Sequence, residues 1–125
     1  MKKLFVMLCL LRATCVCAQE TTRGPHKGTT MSAGDYKIEA KGCNDYLEVY
    51  VYDQYMEPLL NYGISGDVKY FKQSDVSTSE ILVLYGNDGF TAKFPEYSFS
   101  YFKVTVIVKG VPFSAKFKNE CLIPN

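Results

Sequence analysis

Residues 102–118, FKVTVIVKGVPFSAKFK, alternate apolar and polar side chains on both sides of one glycine. Phe102–Lys109 and Val111–Lys118 each place apolar residues at every second position, which is typical of strands with one buried face. Gly110 between them suits a tight connection. The stretch therefore predicts a β-hairpin. The side chains expected to face its core are Phe102, Val104, Val106, Val108, Phe113, Ala115 and Phe117.

The same period of two recurs along the chain, and no segment keeps a helical repeat. Short strands between turn residues predict an all-β fold, an immunoglobulin-like or prealbumin-like β-sandwich of about seven strands. Because Ile81–Tyr85 is almost uniformly apolar, we expect it at the centre of a sheet. Tyr36–Ala40 could be an edge that pairs with another chain. The predicted strands are Tyr36–Ala40, Tyr46–Asp53, Asp67–Phe71, Ile81–Tyr85, Phe90–Phe94, Phe102–Lys109 and Val111–Lys118.

Residues 1–18 predict a secretory signal peptide. Two lysines precede an apolar run, and compact residues end at Ala18, so cleavage is expected directly after Ala18. The run is too short to remain as a membrane span. We therefore expect a periplasmic or secreted chain without a transmembrane segment. Residues 19–33 are rich in threonine, glycine and charge and predict a flexible leader, which leaves residues 34–125 as the β-sandwich domain.

Removal of the signal peptide makes the chain slightly acidic. Three of the 14 lysines and arginines lie in residues 1–18, whereas all 13 aspartates and glutamates lie beyond them, so the net charge is near −2. Proteins that bind nucleic acid or anionic membrane surfaces carry a basic excess. We therefore expect neither partner.

Two of the five cysteines, Cys43 and Cys121, lie beyond the predicted cleavage site. In an exported domain such a pair predicts one disulfide, which would close nearly the whole fold into a loop. The chain-entropy estimate for so long a loop is about 4 to 5 kcal/mol of stabilisation. A metal–thiolate pair is the alternative, although an oxidising compartment favours the disulfide and no further soft ligand is near in the sequence.

His26 is the only histidine of the chain, which excludes most acid–base and nucleophilic chemistry. A Ser-His-Asp triad would have to use it, although it falls in the predicted leader and catalytic geometry needs rigid support. The sequence has no phosphate-binding loop, no metal-ligand cluster of known spacing and no pattern that indicates facing carboxylates. We therefore expect no catalytic residue and a protein that is not an enzyme.

Weak cation binding is the remaining functional role that the sequence allows for His26. Together with Met31, and with Met56 on a loop, it could form a soft, copper-type site. An N-terminal copper motif is excluded, because that motif needs histidine as the third residue of the mature chain and His26 would be the eighth. The alternative is that both methionines are packing residues.

Tyr46, Tyr50 and Tyr52 lie on one face of a predicted strand and are candidate anchors for a protein or a glycan. Aromatic side chains also fill sandwich cores, which is the alternative for the ten tyrosines and eight phenylalanines of the chain. The binding role requires the three tyrosine rings to be exposed.

Three segments carry a family resemblance: residues 24–40, GPHKGTTMSAGDYKIEA, residues 47–71, LEVYVYDQYMEPLLNYGISGDVKYF, and residues 84–94, LYGNDGFTAKF. They resemble small exported domains of Bacteroidetes-type bacteria that accompany heavy-metal efflux systems, within the FixH/YtkA-like and prealbumin-like group of β-sandwiches. The family pattern has a second histidine at the position of Lys37. The metal site that the resemblance implies is thereby reduced to His26 with Glu39, and its cation would be copper or zinc.

The resemblance implies an exported, non-enzymatic accessory module linked to the efflux of copper-type or divalent cations. Its expected partner is a metal-efflux membrane-fusion subunit or another periplasmic protein. No cofactor follows from the residues themselves. The alternative, which depends on Tyr46, Tyr50 and Tyr52, is a protein- or glycan-binding surface module.

Overall fold

The computed structural model describes residues 22–43, 45–72 and 77–119, which form two antiparallel sheets. The first sheet has the strand order β1-β2-β3-β4-β8-β7 and the second has the order β10-β9-β5-β6. The predicted all-β sandwich is therefore confirmed. The strands of the described residues are β1 (Thr22–Arg23), β2 (Thr29–Ala33), β3 (Tyr36–Gly42), β4 (Tyr46–Tyr52), β5 (Ser65–Phe71), β6 (Ser77–Ile81), β7 (Val83–Tyr85), β8 (Gly89–Lys93), β9 (Tyr101–Val108) and β10 (Val111–Lys118).

The hairpin predicted for residues 102–118 is confirmed as β9 and β10. Val108 pairs with Val111 across a two-residue turn. Both turn residues, Lys109 and Gly110, have positive φ angles of 54° and 81°. Two positive φ angles in succession suit the right-handed twist of a hairpin. Gly110 at the second position adopts its positive φ angle without the steric cost that other residues would have there.

The core lies between the inner faces of the two sheets. Its predicted members on β4 and β9 are buried, and Phe102 stacks on Phe117 with 5.0 Å between ring centroids. Tyr70 packs against Phe99 and Phe94 at one end of the same layer. The buried apolar cluster comprises Ala33, Ile38, Ala40, Leu47, Val49, Val51, Val68, Tyr70, Leu82, Phe90, Ala92, Phe102, Val104, Val106, Val108, Ala115 and Phe117.

The predicted flexible leader is wrong for residues 22–33. Thr29–Ala33 forms β2, which pairs along its whole length with Tyr36–Ala40 of β3. Gly34, with a φ angle of 64°, begins the two-residue turn between them. Threonine-rich segments can enter a sheet when a neighbouring strand supplies the partner, and composition alone does not reveal that partner. The sandwich therefore includes residues before the predicted start at residue 34.

Two predicted strand positions are also wrong. The strand at Tyr36–Ala40 is not an edge, because β3 lies between β2 and β4. The stretch Ile81–Tyr85 is not central: it is divided between β6 and β7, each of which is the last strand of its sheet. The chain passes from the second sheet to the first at Leu82, which is buried and donates its N–H to the Gly66 carbonyl at 3.0 Å. Of this apolar stretch only Leu82 is buried, and the other four residues are exposed on the outermost strands of the two sheets.

Within the described residues, no helix is long and apolar enough to cross a membrane. The predicted signal peptide, residues 1–18, and its cleavage site lie outside the described residues.

Candidate functional site

The outer face of the first sheet carries most of the predicted site residues. Glu39 of β3 pairs with Tyr50 of β4, and Lys37 pairs with Tyr52. Alternation along β4 turns Leu47, Val49 and Val51 to the core and the tyrosines to the other side. The connection between β1 and β2, residues 24–28, contacts this outer face at Glu39 and Tyr50. The connection therefore covers this part of the outer face, which would otherwise be exposed to solvent.

Glu39 is fully buried beneath that connection and is bound by three donors. Its Oε2 accepts the backbone N–H of His26 at 3.0 Å and that of Gly28 at 2.7 Å. Its Oε1 accepts the Tyr52 hydroxyl at 2.6 Å. Hydrogen bonds to an ionised acceptor are about twice as strong as neutral ones. The carboxylate thus fastens the loop to the sheet.

Two glycines allow this close approach. A Cβ atom at Gly24 would overlap the Glu39 carboxylate, and one at Gly28 would lie 2.5 Å from the Ala40 carbonyl oxygen. Lys27 has a φ angle of 71°, and the Gly24 N–H donates to the Gly28 carbonyl at 2.9 Å. The sequence GPHKG therefore describes a tight loop built around one buried carboxylate.

The imidazole of His26 stacks on the ring of Tyr50, with 3.6 Å between centroids and an interplanar angle of 5°. The Tyr50 hydroxyl in turn donates to Glu48 at 2.7 Å. Burial, followed by the hydrogen bond to Glu48, raises the pKa of Tyr50, and burial with the bond to Glu39 raises that of Tyr52. For Glu48, burial alone would raise the pKa, but hydrogen bonds from its neighbours outweigh it, so the pKa lies below its ordinary value.

The structure brings His26 and Glu39 together, but not as a pair of cation ligands. The contact runs through the His26 backbone N–H, while its ring faces Tyr50. Both Glu39 oxygens already accept hydrogen bonds from N–H and O–H donors, which a cation would have to displace. Within the described ranges no group of three or more His, Cys, Asp or Glu side chains could hold a metal ion. The arrangement does not fit a resident copper or zinc ion.

The two candidate soft ligands, Met31 and Met56, lie in different parts of the fold. Met31 lies on β2 and packs against the core cluster. Met56 belongs to the β4–β5 connection, with a φ angle of 65°. Packing accounts for Met31 without a ligand role.

The binding role of the three candidate tyrosines requires exposed rings, and two of the three rings are buried, as the alternative packing role predicts. Tyr50 is 5% exposed and Tyr52 is 2% exposed, because the β1–β2 connection and Glu39 engage them. Tyr46 is half-buried, and its hydroxyl is 3.4 Å from Glu48 Oε2. Neither Tyr50 nor Tyr52 can offer a ring to a partner while this loop is in place.

Cys43 lies at the turn before β4, where its N–H donates to the Tyr46 carbonyl at 2.8 Å. It is half-buried, and burial together with the Glu48 carboxylate raises the pKa of its thiol. A raised pKa disfavours the nucleophilic thiolate. Cys121 lies outside the described residues, so the Cys43–Cys121 disulfide stays a prediction.

The connection between β4 and β5, residues 53–64, is an ordered loop in which the sequence indicated only Met56 as a candidate site residue. The Asp53 carboxylate accepts the N–H groups of Tyr55 and Glu57 at 2.8 and 3.0 Å. The side chain of Asn61 is buried and donates to the carbonyls of Gly86 and Gly89 at 3.1 and 2.8 Å. These bonds tie the loop to the turn between β7 and β8.

Three large side chains project from this β4–β5 loop into solvent. Tyr55 is 75% exposed, Leu60 65% and Tyr62 77%. Leu60 and Tyr62 flank the anchored Asn61, so their backbone is fixed although their side chains are free. The sequence QYMEPLLNYG indicates a loop through its proline, asparagine and glycine. Its two tyrosines are the one sequence feature that could have indicated a binding role, and no binding role was predicted for them.

Comparison of the chain with protein-family models, with curated proteins and with solved structures finds no significant match.

Proposed function

We propose that this protein is an exported, non-enzymatic accessory module that binds another protein through its β4–β5 loop. The observation that carries the proposal is the combination of three exposed apolar side chains, Tyr55, Leu60 and Tyr62, with a backbone fixed by Asp53 and Asn61. A loop that is ordered before it binds loses less conformational entropy on binding. Tyrosine is also among the residues most enriched at interface hot spots.

The contacts on the outer face of the first sheet support a structural role for His26 and Glu39, the two residues with the chemistry for catalysis or cation binding. The ring of the chain's only histidine is stacked on Tyr50. The Glu39 carboxylate is fully buried and accepts three hydrogen bonds, which supports a role in holding the loop over a role on a substrate. We infer that the module acts by contact and not by catalysis or by holding a cation.

The sequence resemblance suggests the partner class. A metal-efflux membrane-fusion subunit or another periplasmic protein would meet an exported module in the same compartment. The exposed loop provides an apolar surface for that contact. The leucine at position 60 favours a protein over a glycan, since aliphatic side chains pack well against protein but lack the flat face that stacks on a sugar ring.

Binding to the purified periplasmic part of a membrane-fusion subunit from the same cell tests the proposal. The double variant Leu60→Ala/Tyr62→Ala is expected to weaken binding at least about tenfold, because truncating each hot-spot residue typically costs more than 1 kcal/mol. Ile107→Ala is the matched control, since Ile107 is an exposed apolar residue on β9 of the second sheet.

A photo-crosslinking residue at position 62, compared with one at position 107, extends the test to other envelope proteins. We expect crosslinks to a defined protein only from position 62. Equal crosslinking from both positions, or unchanged affinity in the double variant, would contradict the proposal. Glycan-array binding that depends on Tyr62 would replace the protein partner with a glycan.

A further inference from the structure

The outer face of the second sheet carries a row of lysines. Lys69 of β5 pairs with Lys103 of β9, and Lys103 pairs with Lys116 of β10. All three are exposed and alternate with buried core residues, so they point to the same side, away from the core. Lys118 lies on that side too, two residues further along β10. These four residues define the lysine face.

The lysine face has a strong excess of one sign of charge. Among the described residues of the second sheet, Asp67 is the only acidic side chain that alternation directs to this face. Like charges directly opposite each other on neighbouring strands destabilise a sheet, and a bound anion would relieve that repulsion. The slightly acidic net charge, from which we expected no anionic membrane partner, averages over both sheets and does not reveal this face.

Two aromatic rings lie beside the lysine row. Phe71 of β5 pairs with Tyr101 of β9, and their rings stack with 4.6 Å between centroids and an interplanar angle of 7°. The Nζ atom of Lys116 lies 4.4 Å from the centroid of the Tyr101 ring. Because Phe71 and Lys116 come from the strands on either side of β9, they cover the two faces of this ring. The Tyr101 ring is therefore not available to stack on a sugar or a nucleobase.

We propose that the lysine face binds the surface of an anionic lipid bilayer, with its four ammonium groups at the lipid headgroups. Charge complementarity carries the assignment, since each lysine close to an anionic membrane surface contributes about fivefold to the affinity. The strands of this sheet present lysine and no arginine among the described residues, whereas arginine is the residue that suits bidentate recognition of nucleic-acid phosphates. Aromatic residues such as Phe71 and Tyr101 are enriched where proteins meet the headgroup layer.

This binding goes beyond the proposed function, because it concerns a different surface and a lipid instead of a protein. The β4–β5 loop enters the second sheet at Ser65, whereas Lys69 lies about 13 Å further along the same strand. The lysine row therefore lies away from the end of β5 at which the loop enters. Attachment through the lysine face would leave the loop free to contact a partner at the same membrane.

Co-sedimentation of the mature protein with lipid vesicles measures the binding directly. The probes are vesicles of phosphatidylglycerol mixed with phosphatidylcholine and vesicles of phosphatidylcholine alone. We expect binding to the anionic vesicles only at low ionic strength, and release at about 1 M salt, where the Debye length falls to about 3 Å.

The double variant Lys69→Gln/Lys103→Gln is expected to weaken binding to the anionic vesicles at least about tenfold, since two lysines are removed. It should be at least as stable in urea as the wild type, because the two like charges no longer face each other. The matched control is Lys37→Gln/Lys93→Gln, which makes the same change in net charge on the first sheet.

Three outcomes would overturn the proposal: no binding to the phosphatidylglycerol vesicles, equal binding to both kinds of vesicle, or equal weakening by the two double variants. Binding of soluble polygalacturonate or of an oligonucleotide in preference to the vesicles would also overturn it, and would assign the lysine face to that polymer instead. Because the readout is vesicle binding, it is independent of whether the β4–β5 loop binds a protein.

Discussion

Replacing Glu39 with alanine is expected to lower the free energy of unfolding by about 3 kcal/mol. The fully buried carboxylate accepts hydrogen bonds from Tyr52, His26 and Gly28. Each hydrogen bond to a charged group contributes about 1.5 to 3 kcal/mol. The variant also avoids burying a charge, which offsets a few kcal/mol of the loss. The balance is a large part of the ~5–15 kcal/mol that usually stabilises a domain.

Urea denaturation followed by circular dichroism and tyrosine fluorescence measures this change, since the chain has no tryptophan. A loss of about 3 kcal/mol corresponds to a fall in melting temperature of roughly 12–24 °C for a domain of this size. Tyr52→Phe removes one of the three donors and is expected to cost about 1 to 2 kcal/mol. Glu96→Ala, at an exposed glutamate, is expected to change stability by less than about 0.5 kcal/mol.

Amide hydrogen exchange separates the local effect from general destabilisation. The amides of His26 and Gly28 donate to Glu39, so Glu39→Ala should accelerate their exchange more than that of the β9–β10 amides. A Glu39→Ala protein as stable as the wild type, or one in which these two amides exchange no faster than before, would refute the role of the carboxylate as the fastener of the loop.

Stability should fall as the pH rises above about 10, because the fold raises the pKa of Tyr50 and Tyr52, and the neutral phenols that it favours lose protons first in the unfolded chain. Urea midpoints that stay constant between neutral pH and pH ~11 would contradict this. Oxidised mature protein should yield one peptide pair joined through Cys43 and Cys121, and its reduction should cost up to about 4 to 5 kcal/mol of stability; free thiols in protein exported and purified without reductant would exclude the pair. Titration with copper or zinc should show no tight binding that His26→Ala removes, and a stoichiometric site lost in that variant would restore the metal role.

The strands with regular alternation were predictable, because the apolar positions of such a strand indicate which of its faces is buried. In β9, Phe102, Val104 and Val106 face the core as their period requires. In β4, the core-facing positions of Leu47, Val49 and Val51 were predictable in the same way. Alternation did not reveal what covers the opposite face of β4, because the covering loop comes from a segment that contains little apolar surface of its own.

The candidate site was predictable only in part. His26 and Glu39 were expected to act together, and they do touch, but the contact uses a backbone N–H that no residue pattern encodes. Tyr55 and Tyr62 were within a segment correctly interpreted as a loop. Their role depends on Asn61, whose side chain reaches carbonyls 25 and 28 residues away in the chain. Such distant anchors arise only once the sheet is assembled.

The sequence by itself determined the all-β class, the hairpin at residues 102–118 and the identity of most core residues, because these follow from a local period of two and from turn residues such as Gly110. The tertiary structure alone decided which strands became edges and which polar groups were buried. Ile81–Tyr85 is apolar enough for a central strand, yet among the described residues it belongs to the last strand of each sheet, because the chain changes sheets at Leu82. Edge position depends on which strands find partners, and that is settled by contacts between distant residues.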